Sequence, residues 1–383
     1  MSRKICVVIT ARPSYSRVRS VLSAIQSQDD LQLQLVVAAS ALLDRYGATD
    51  RTIEDEGFVI NRRVFMILEG ENLVTSAKST GLGVVELATA FDDLQPDAIV
   101  SIADRFETMA TAVAASYLHV PLVHIQGGEV TGSIDEKVRH AVTKLADIHF
   151  VASEPAAARI IKMGEEPETV HVTGCPSIDV AKRAIEESPT LDIFERYQGV
   201  GPRLDVSGGY LLVMQHPVTT EYAQSRHNIE ETLHAVYGLG LPALWFWPNV
   251  DAGSDGTSRG IRAFRELHAP SNMHFFKSLP PDDFIRLLNG ADCIIGNSSV
   301  GIRESSWLGV PSINIGGRQA GRDRGPNTTD VGYDREAIRG AIEAARAAER
   351  PKSDPLYGDG ASGERIAALL AKVPLKTEKR LTY

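Results

Sequence analysis

The residues of this chain that could do chemistry collect just behind short apolar runs. After the first run comes Thr10-Ala-Arg-Pro-Ser-Tyr-Ser16, where Arg12 and hydroxyls lead into a helical stretch. A guanidinium at a helix start suits an anion, and an ordinary helix start with a solvent-facing Arg explains the same residues equally well. Ile102-Ala-Asp104-Arg105 sets a carboxylate beside a guanidinium, either a salt-bridged helix start or part of an active site. Val123-His124-Ile-Gln126-Gly-Gly-Glu129 puts polar side chains and two glycines behind another run, and glycine lets backbone approach a ligand. Asp135 and Arg139 stand i, i+4, a spacing that also describes a surface ion pair worth roughly 0.3 kcal/mol.

Similar loops recur later. In Gln215-His216-Pro-Val-Thr-Thr220, His216 could be a satisfied structural histidine or a group for proton transfer or phosphate contact. Pro248-Asn-Val-Asp251-Ala-Gly-Ser254 offers a further carboxylate. The densest block is Gly296-Asn-Ser298-Ser299-Val-Gly301-Ile-Arg-Glu304, small hydroxyl residues running into a helix. Backbone N–H groups and a helix dipole there would gather an anion. Glu304 can accept two hydrogen bonds from a ribose diol, and Arg318 in Gly316-Gly-Arg-Gln319 could approach phosphates.

Such loops need strands that end along a common edge. Apolar runs at 4–10, 33–39, 98–102, 122–125, 148–152 and 170–173 alternate with helical stretches at 16–26, 106–117, 135–146 and 155–163. That alternation is the mark of a parallel sheet covered on both faces. Ser133 followed by Glu136 reads as a capping box opening the third helix. The polar, Pro- and Gly-containing stretch 181–209 is expected to be a linker. The alternation then resumes, with strands at 210–215, 243–247, 274–277, 293–296 and 312–315 and helices at 225–237, 257–267, 282–288 and 302–308. Late helices are expected at 335–348 and 363–371. The fold class is therefore α/β, two Rossmann-like doubly wound domains over 1–180 and 210–362, with the ligand expected in the crevice between them.

A chain of 383 residues is too long for one ordinary core. Its net charge of −9 excludes a binder of nucleic-acid backbone, although a diphosphate needs only a few N–H groups and one or two arginines. Cys6, Cys175 and Cys293 have no metal-site or paired spacing and read as small buried hydrophobes in a reducing compartment. The run 5–9 is broken by Arg12 and Pro13, so it reads as a strand and not a signal peptide, and no run approaches a membrane span. The expected location is cytoplasmic, with no membrane partner.

The blocks together resemble the UDP-N-acetylglucosamine 2-epimerases, in particular the hydrolysing branch that supplies N-acetylmannosamine for sialic-acid-type synthesis. The matching segments are Ala103-Asp-Arg105, His124-Ile-Gln-Gly-Gly-Glu129, Ile134-Asp-Glu136, Arg139-His-Ala-Val-Thr-Lys144, Gly174-Cys-Pro-Ser177, His216-Pro-Val-Thr-Thr220, the 248–254 loop, Gly296-Asn-Ser-Ser299, Gly301-Ile-Arg-Glu304 and Tyr357-Gly-Asp-Gly360. They span most of the chain in the family's order. The resemblance implies a GT-B fold whose last segment, 363–383, crosses back to the first domain. It implies chemistry without metal or cofactor: loss of the carbon-2 proton, expulsion of UDP, and addition of water to the unsaturated sugar.

By the same resemblance Asp104 and Asp135 are carboxylates of the chemistry, with His216 beside the diphosphate or leaving group. Arg12, Ser298, Ser299, Gly301, Glu304 and Arg318 match the nucleotide-binding set, and Arg105, His124, Arg139 and Asp251 are substrate-binding candidates. A homodimer or homotetramer is the family's expectation. One departure stands out: the family's familiar hydrolysing members carry a carboxylate where this chain has Gln126, and an amide cannot accept a proton near neutral pH. Either the acid–base work rests on Asp104, Asp135 or Glu129, or the sugar is a 2,4-diacetamido-trideoxyhexose, or the chain binds sugar while turning over slowly. UDP-N-acetylglucosamine is the first expectation for the substrate, with a GT-B glycosyltransferase as the competing function.

Overall fold

Alternate residues of β1 (Arg3–Ile9) feed two different cores: Ile5, Val7 and Ile9 enter one, Cys6 and Val8 the other. A strand buried on both faces has to read as a continuous apolar run, which is why the pattern was visible in sequence. The structure, a computed structural model, describes residues 2–44, 47–69, 73–131, 135–187, 192–248 and 254–382. The chain divides into two units, one of Met1–Glu129, Ile134–Val180 and Tyr357–Tyr383, the other of Val130–Ser133 and Ala181–Leu356.

The first unit holds a seven-stranded parallel sheet of β1, β2 (Leu31–Ala38), β3 (Arg62–Val64), β4 (Ala98–Ile102), β5 (Leu122–Ile125), β6 (Ile148–Val151) and β7 (Val170–Val172). The spatial order is β3-β2-β1-β4-β5-β6-β7. Chain order reverses between β1 and β4, the switch point at which doubly wound sheets bind ligands. The loops after these two strands, carrying Arg12 and Asp104, are therefore neighbours. The covering helices are α1 (Arg12–Gln26), α2 (Thr49–Asp55), α3 (Leu73–Leu94), α4 (Phe106–Tyr117), α5 (Asp135–Leu145) and α6 (Glu154–Lys162), while α7 (Pro176–Glu186) begins in this unit and continues from Ala181 into the second. The 22-residue α3 was not anticipated. Gly81 and Gly83 obscure its periodicity, and Gly83 is needed: a Cβ there would lie 2.9 Å from Ala110 Cβ of α4.

The second unit repeats the design. Its elements are α8 (Ile193–Arg196), β8 (Gly199–Val200), β9 (Leu211–Met214), α9 (Ser225–Gly238), β10 (Ala243–Phe246), α10 (Ser254–His268), β11 (Met273–Phe276), α11 (Pro281–Gly290), β12 (Cys293–Gly296), α12 (Glu304–Leu308), β13 (Ser312–Ile315), β14 (Thr328–Val331) and α13 (Arg335–Ala347). The order β14-β13-β12-β9-β10-β11-β8 puts the reversal between β9 and β12. The stretch 181–209, expected to be a linker, instead belongs to this unit. Ile193 and Leu204 are buried in its core, and β8 adds an antiparallel edge to β11. The expected capping serine, Ser133, lies outside the described residues.

The last helix, α14 (Ser362–Leu370), is part of the first unit. Ile366, Ala367 and Leu370 share one core with Val18, Val21 and Leu22 of α1. Gly363 allows the approach, since a Cβ there would fall 2.7 Å from the Ser20 carbonyl. Asp179 of α7 accepts hydrogen bonds from Ser362 N (2.9 Å) and Gly363 N (2.7 Å), satisfying the first N–H groups of α14. Ile366→Ala should destabilise this unit by about 2–5 kcal/mol, and Ile366→Val by about 1. Urea unfolding followed by circular dichroism measures both.

Candidate active site

In the first unit the site begins at two strained strand exits. Ala103 (φ 69°) and Gln126 (φ 66°) leave β4 and β5 in the left-handed region, which costs a residue with a side chain of order 1 kcal/mol or more. Their N–H groups still extend the ladder, to Ile125 O and Phe150 O. The Ala103 turn delivers Asp104, which pairs with Arg139 of α5. Arg139 is 1% exposed and also donates to Glu129 O at 2.8 Å, so it is a buried clamp and not a surface cation. Asp135 lies on the face of α5 that carries Arg139, one turn nearer the helix start. Asp104, still 18% exposed at its side chain, and Asp135 thus stand at one end of one sheet.

The neighbouring loop is built from packing constraints. His124 is fully buried, with Nδ1 3.1 Å from Thr143 Oγ1 and Nε2 2.9 Å from Ala103 O. Both ring nitrogens are engaged within the protein. The expected substrate contact is corrected to a strut between α5 and the β4 exit. Gly127 and Gly128, read as room for a ligand, serve packing too: a Cβ at Gly128 would lie 2.3 Å from Ala156 O. Gln126 is 2% exposed and donates from Nε2 to Cys175 Sγ at 2.9 Å. Glu129 is equally buried, Arg105 sits 3.3 Å from Glu107 Oε2, and Arg12 opens α1 behind β1.

The second unit centres on Asn297, a residue not singled out from sequence. Its side chain accepts from His216 N (2.7 Å) and donates to His216 O (2.8 Å), pinning the loop after β9 to that after β12. Its own carbonyl accepts from Arg318 Nη1 (3.1 Å) and Gln319 Nε2 (2.9 Å). His216, Asn297, Ser298 and Arg318 are thereby gathered at the switch point. Ser298 Oγ accepts from Val300 N at 3.4 Å, and Ser299 Oγ accepts from Arg303 at 3.0 Å. Gly301 is required because a Cβ would meet Ser312 Oγ at 2.6 Å. The single helix expected over 302–308 is instead a 3-10 turn, Ser299–Gly301, followed by five-residue α12. A helix so short carries little dipole, and the N–H groups of Gly301, Ile302 and Arg303 already bond within the turn. Glu304 heads α12, 7% exposed, with its buried Oε2 lacking a hydrogen-bond partner among the described residues. Asp251 and its loop, 249–253, lie outside the described residues.

Burial dominates the two histidines. It pulls His124 down to about 4, and burial with nearby Arg318 pulls His216 down to about 3. Both are neutral near pH 7, so His216 can donate or accept a hydrogen bond there but cannot act as a cation. In the unfolded chain both return to about 6.5, so that state binds more protons below pH 6.5. Their contribution to stability is intact above that value and is lost as pH falls towards 4 and 3. Their imidazole resonances should therefore not titrate between pH 5 and 8 in the folded protein, and the thermal midpoint should drop on going from pH 7 to pH 5. Asn297→Leu should lower that midpoint at pH 7, each orphaned His216 backbone group costing about 1–3 kcal/mol.

Among the described residues there is no group of three His, Cys, Asp or Glu that could hold a metal, and no helix long and apolar enough to cross a membrane. The chain is 32% identical over 378 residues to the "UDP-N,N'-diacetylbacillosamine 2-epimerase (hydrolyzing)" of Legionella pneumophila, covering 99% of this chain and 98% of that one. It is 29% identical to the UDP-N-acetylglucosamine 2-epimerase of Neisseria meningitidis serogroup B, covering 97% and 95%. The crystal structure of UDP-GlcNAc 2-epimerase from Neisseria meningitidis bound to UDP-GlcNAc superposes with a TM-score of 0.80 at 16% identity, over 96% of this chain and 99% of that one. That likeness shows the shared fold, GT-B, two Rossmann-like units in one chain. The family described as UDP-N-acetylglucosamine 2-epimerase matches residues 23–371, and the chain belongs to that family.

Proposed function

We propose that this protein is a hydrolysing 2-epimerase of a UDP-linked 2-acetamido sugar. The observation that carries the reading is the Arg139–Asp104 pair, which brings α5, with Asp135 in its first turn, against the strained exit of β4. Two carboxylates in one neighbourhood suit the reaction's two proton transfers. A base takes the carbon-2 proton as the bond from carbon 1 to the diphosphate oxygen breaks, leaving UDP and a carbon 1–carbon 2 double bond. Water then adds its hydroxyl to carbon 1, and carbon 2 regains a proton on the opposite face. The released sugar has the manno configuration. We assign the proton transfers to Asp104 and Asp135, with Glu129 as the reserve carboxylate.

In the second unit, Arg318 and the Ser298–Ser299 turn are assigned to the diphosphate, and the unpartnered Glu304 Oε2 to the ribose diol. Neutral His216 would donate a hydrogen bond to the leaving phosphate, which requires no protonated imidazole. In the first unit Arg12 and Arg105 follow β1 and β4, the two strands at the switch point, and are assigned to substrate phosphate or sugar oxygens. Asp251 stays with the substrate set on the family resemblance.

For the sugar, the diacetylated substrate moves ahead of UDP-N-acetylglucosamine. The hydrolysing relative named for it is matched end to end at the higher identity. Gln126 fits that order, since an amide at this position takes no part as a base. UDP-N-acetylglucosamine is the second reading, supported by the Neisseria relative.

Incubation with each UDP sugar in deuterated water tests the proposal. The expected products are free UDP and a manno-configured sugar deuterated at carbon 2, formed faster from the diacetylated substrate. Intact UDP sugars without exchange would overturn it, and exchange with the UDP linkage retained would assign the non-hydrolysing reaction instead. Asp104→Asn should lower kcat by about 10²–10⁴-fold, the usual share of one acid–base group. Gln126→Glu should change the preference between the two sugars; an unchanged preference removes that residue from the specificity argument.

A further inference from the structure

The proposed reaction makes no use of a buried charge cluster behind α5. Glu165, 2% exposed, lies in the loop after α6 and is held by three partners: Lys144 of α5, His149 of β6 and Lys379. Burial alone would raise this carboxyl, yet the hydrogen bonds from His149, Lys144 and Lys379 hold it down at about 2. Lys379 comes from the segment after α14. That segment is anchored by Arg3, whose Nη1 donates to Leu370 O and Val373 O at 2.8 Å, and by Leu375 packed on the core.

Lys379 also donates to Thr143 O at 3.2 Å and to Ala146 O. Thr143 O is in the last turn of α5 and also accepts from Ala146 N at 3.3 Å, while Ala146 O belongs to the residue that follows the helix, so Lys379 closes over the C-terminal end of α5. A cation there also meets the negative end of the helix dipole. The same Thr143 supports His124 through its hydroxyl, and His124 in turn supports Ala103 O, the residue before Asp104. One helix is thus held at its front by Arg139 on Asp104 and at its back by Lys379.

We propose that Lys379 is a positioning residue: it docks the segment after α14 onto the end of α5 and fixes the helix that carries Asp135 and Arg139. The proposal rests on the assignment of Asp104 and Asp135 to the chemistry. Removing Lys379 leaves Glu165 paired with Lys144 and His149, so the unit retains a compensated buried carboxylate.

The test compares the wild type with Lys379→Met and Lys379→Arg in the full chain. For Lys379→Met, kcat should fall about 10- to 100-fold, the effect of a small misplacement of reacting groups, with KM within about twofold. Hydrogen exchange at the amides of α5 should quicken while that of α10, in the other unit, is unchanged. Lys379→Arg, keeping the cation, should return kcat to within about threefold. Unchanged kcat per folded molecule, or unchanged exchange in α5, would overturn the proposal. If the wild type turns over neither UDP sugar, the functional reading fails, and exchange in α5 still decides whether Lys379 holds the helix.

Discussion

A guanidinium taken out of water must be paired, because an isolated buried charge costs several kcal/mol. Arg139 is the largest such obligation in the first unit. Its partners include Asp104 and the carbonyl of Glu129, so one side chain ties a helix, a strand exit and a glycine loop together. A shift of any of those parts would cost the cation one of these partners. The left-handed backbone at Ala103 and Gln126 is tolerated for the same reason, since the surrounding bonds hold both exits in place.

The second unit solves the corresponding problem with neutral groups. Asn297 supplies both a donor and an acceptor to the backbone of His216, which no carboxylate or ammonium could do. Burial keeps His216 neutral beside Arg318, and the buried carboxylate Glu304 heads the adjacent α12. The two units thus share a doubly wound order apart from their edge strands, one tied together by a buried cation and the other by a neutral amide.

The doubly wound pattern was legible because strands buried on both faces must be apolar throughout. β4, β5, β12 and β13 agree with their expected bounds for that reason. Elements with one exposed face or little length were not legible. β3 is three residues with two exposed arginines, β14 is Thr-Thr-Asp-Val, and β8 hides in a stretch that reads as a linker. Type and spacing made Asp104, His216 and Glu304 candidates but could not separate ligand contacts from struts. His124 became a strut only once Thr143 and Ala103 O were beside it, positions 19 and 21 residues away. Cys175 was read only as a small buried hydrophobe and Asn297 only as part of a block, because their partners lie about 49 and 81 residues away and sequence pattern carries no record of such pairings.

The placement of α14 has a consequence for synthesis. The core that begins with β1 and α1 is closed by Ile366 and Leu370, residues translated only after the entire second unit. On the ribosome the second unit can therefore complete its core first, while the first waits with the α1 surface uncovered. Domains of a nascent chain usually mature from the N-terminus onward. Here that order is inverted, and the interval is set by the time needed to translate the intervening residues. An uncovered apolar helix face during that interval is the kind of surface that chaperones recognise, so translation pauses ahead of α14 would lengthen the chain's dependence on them.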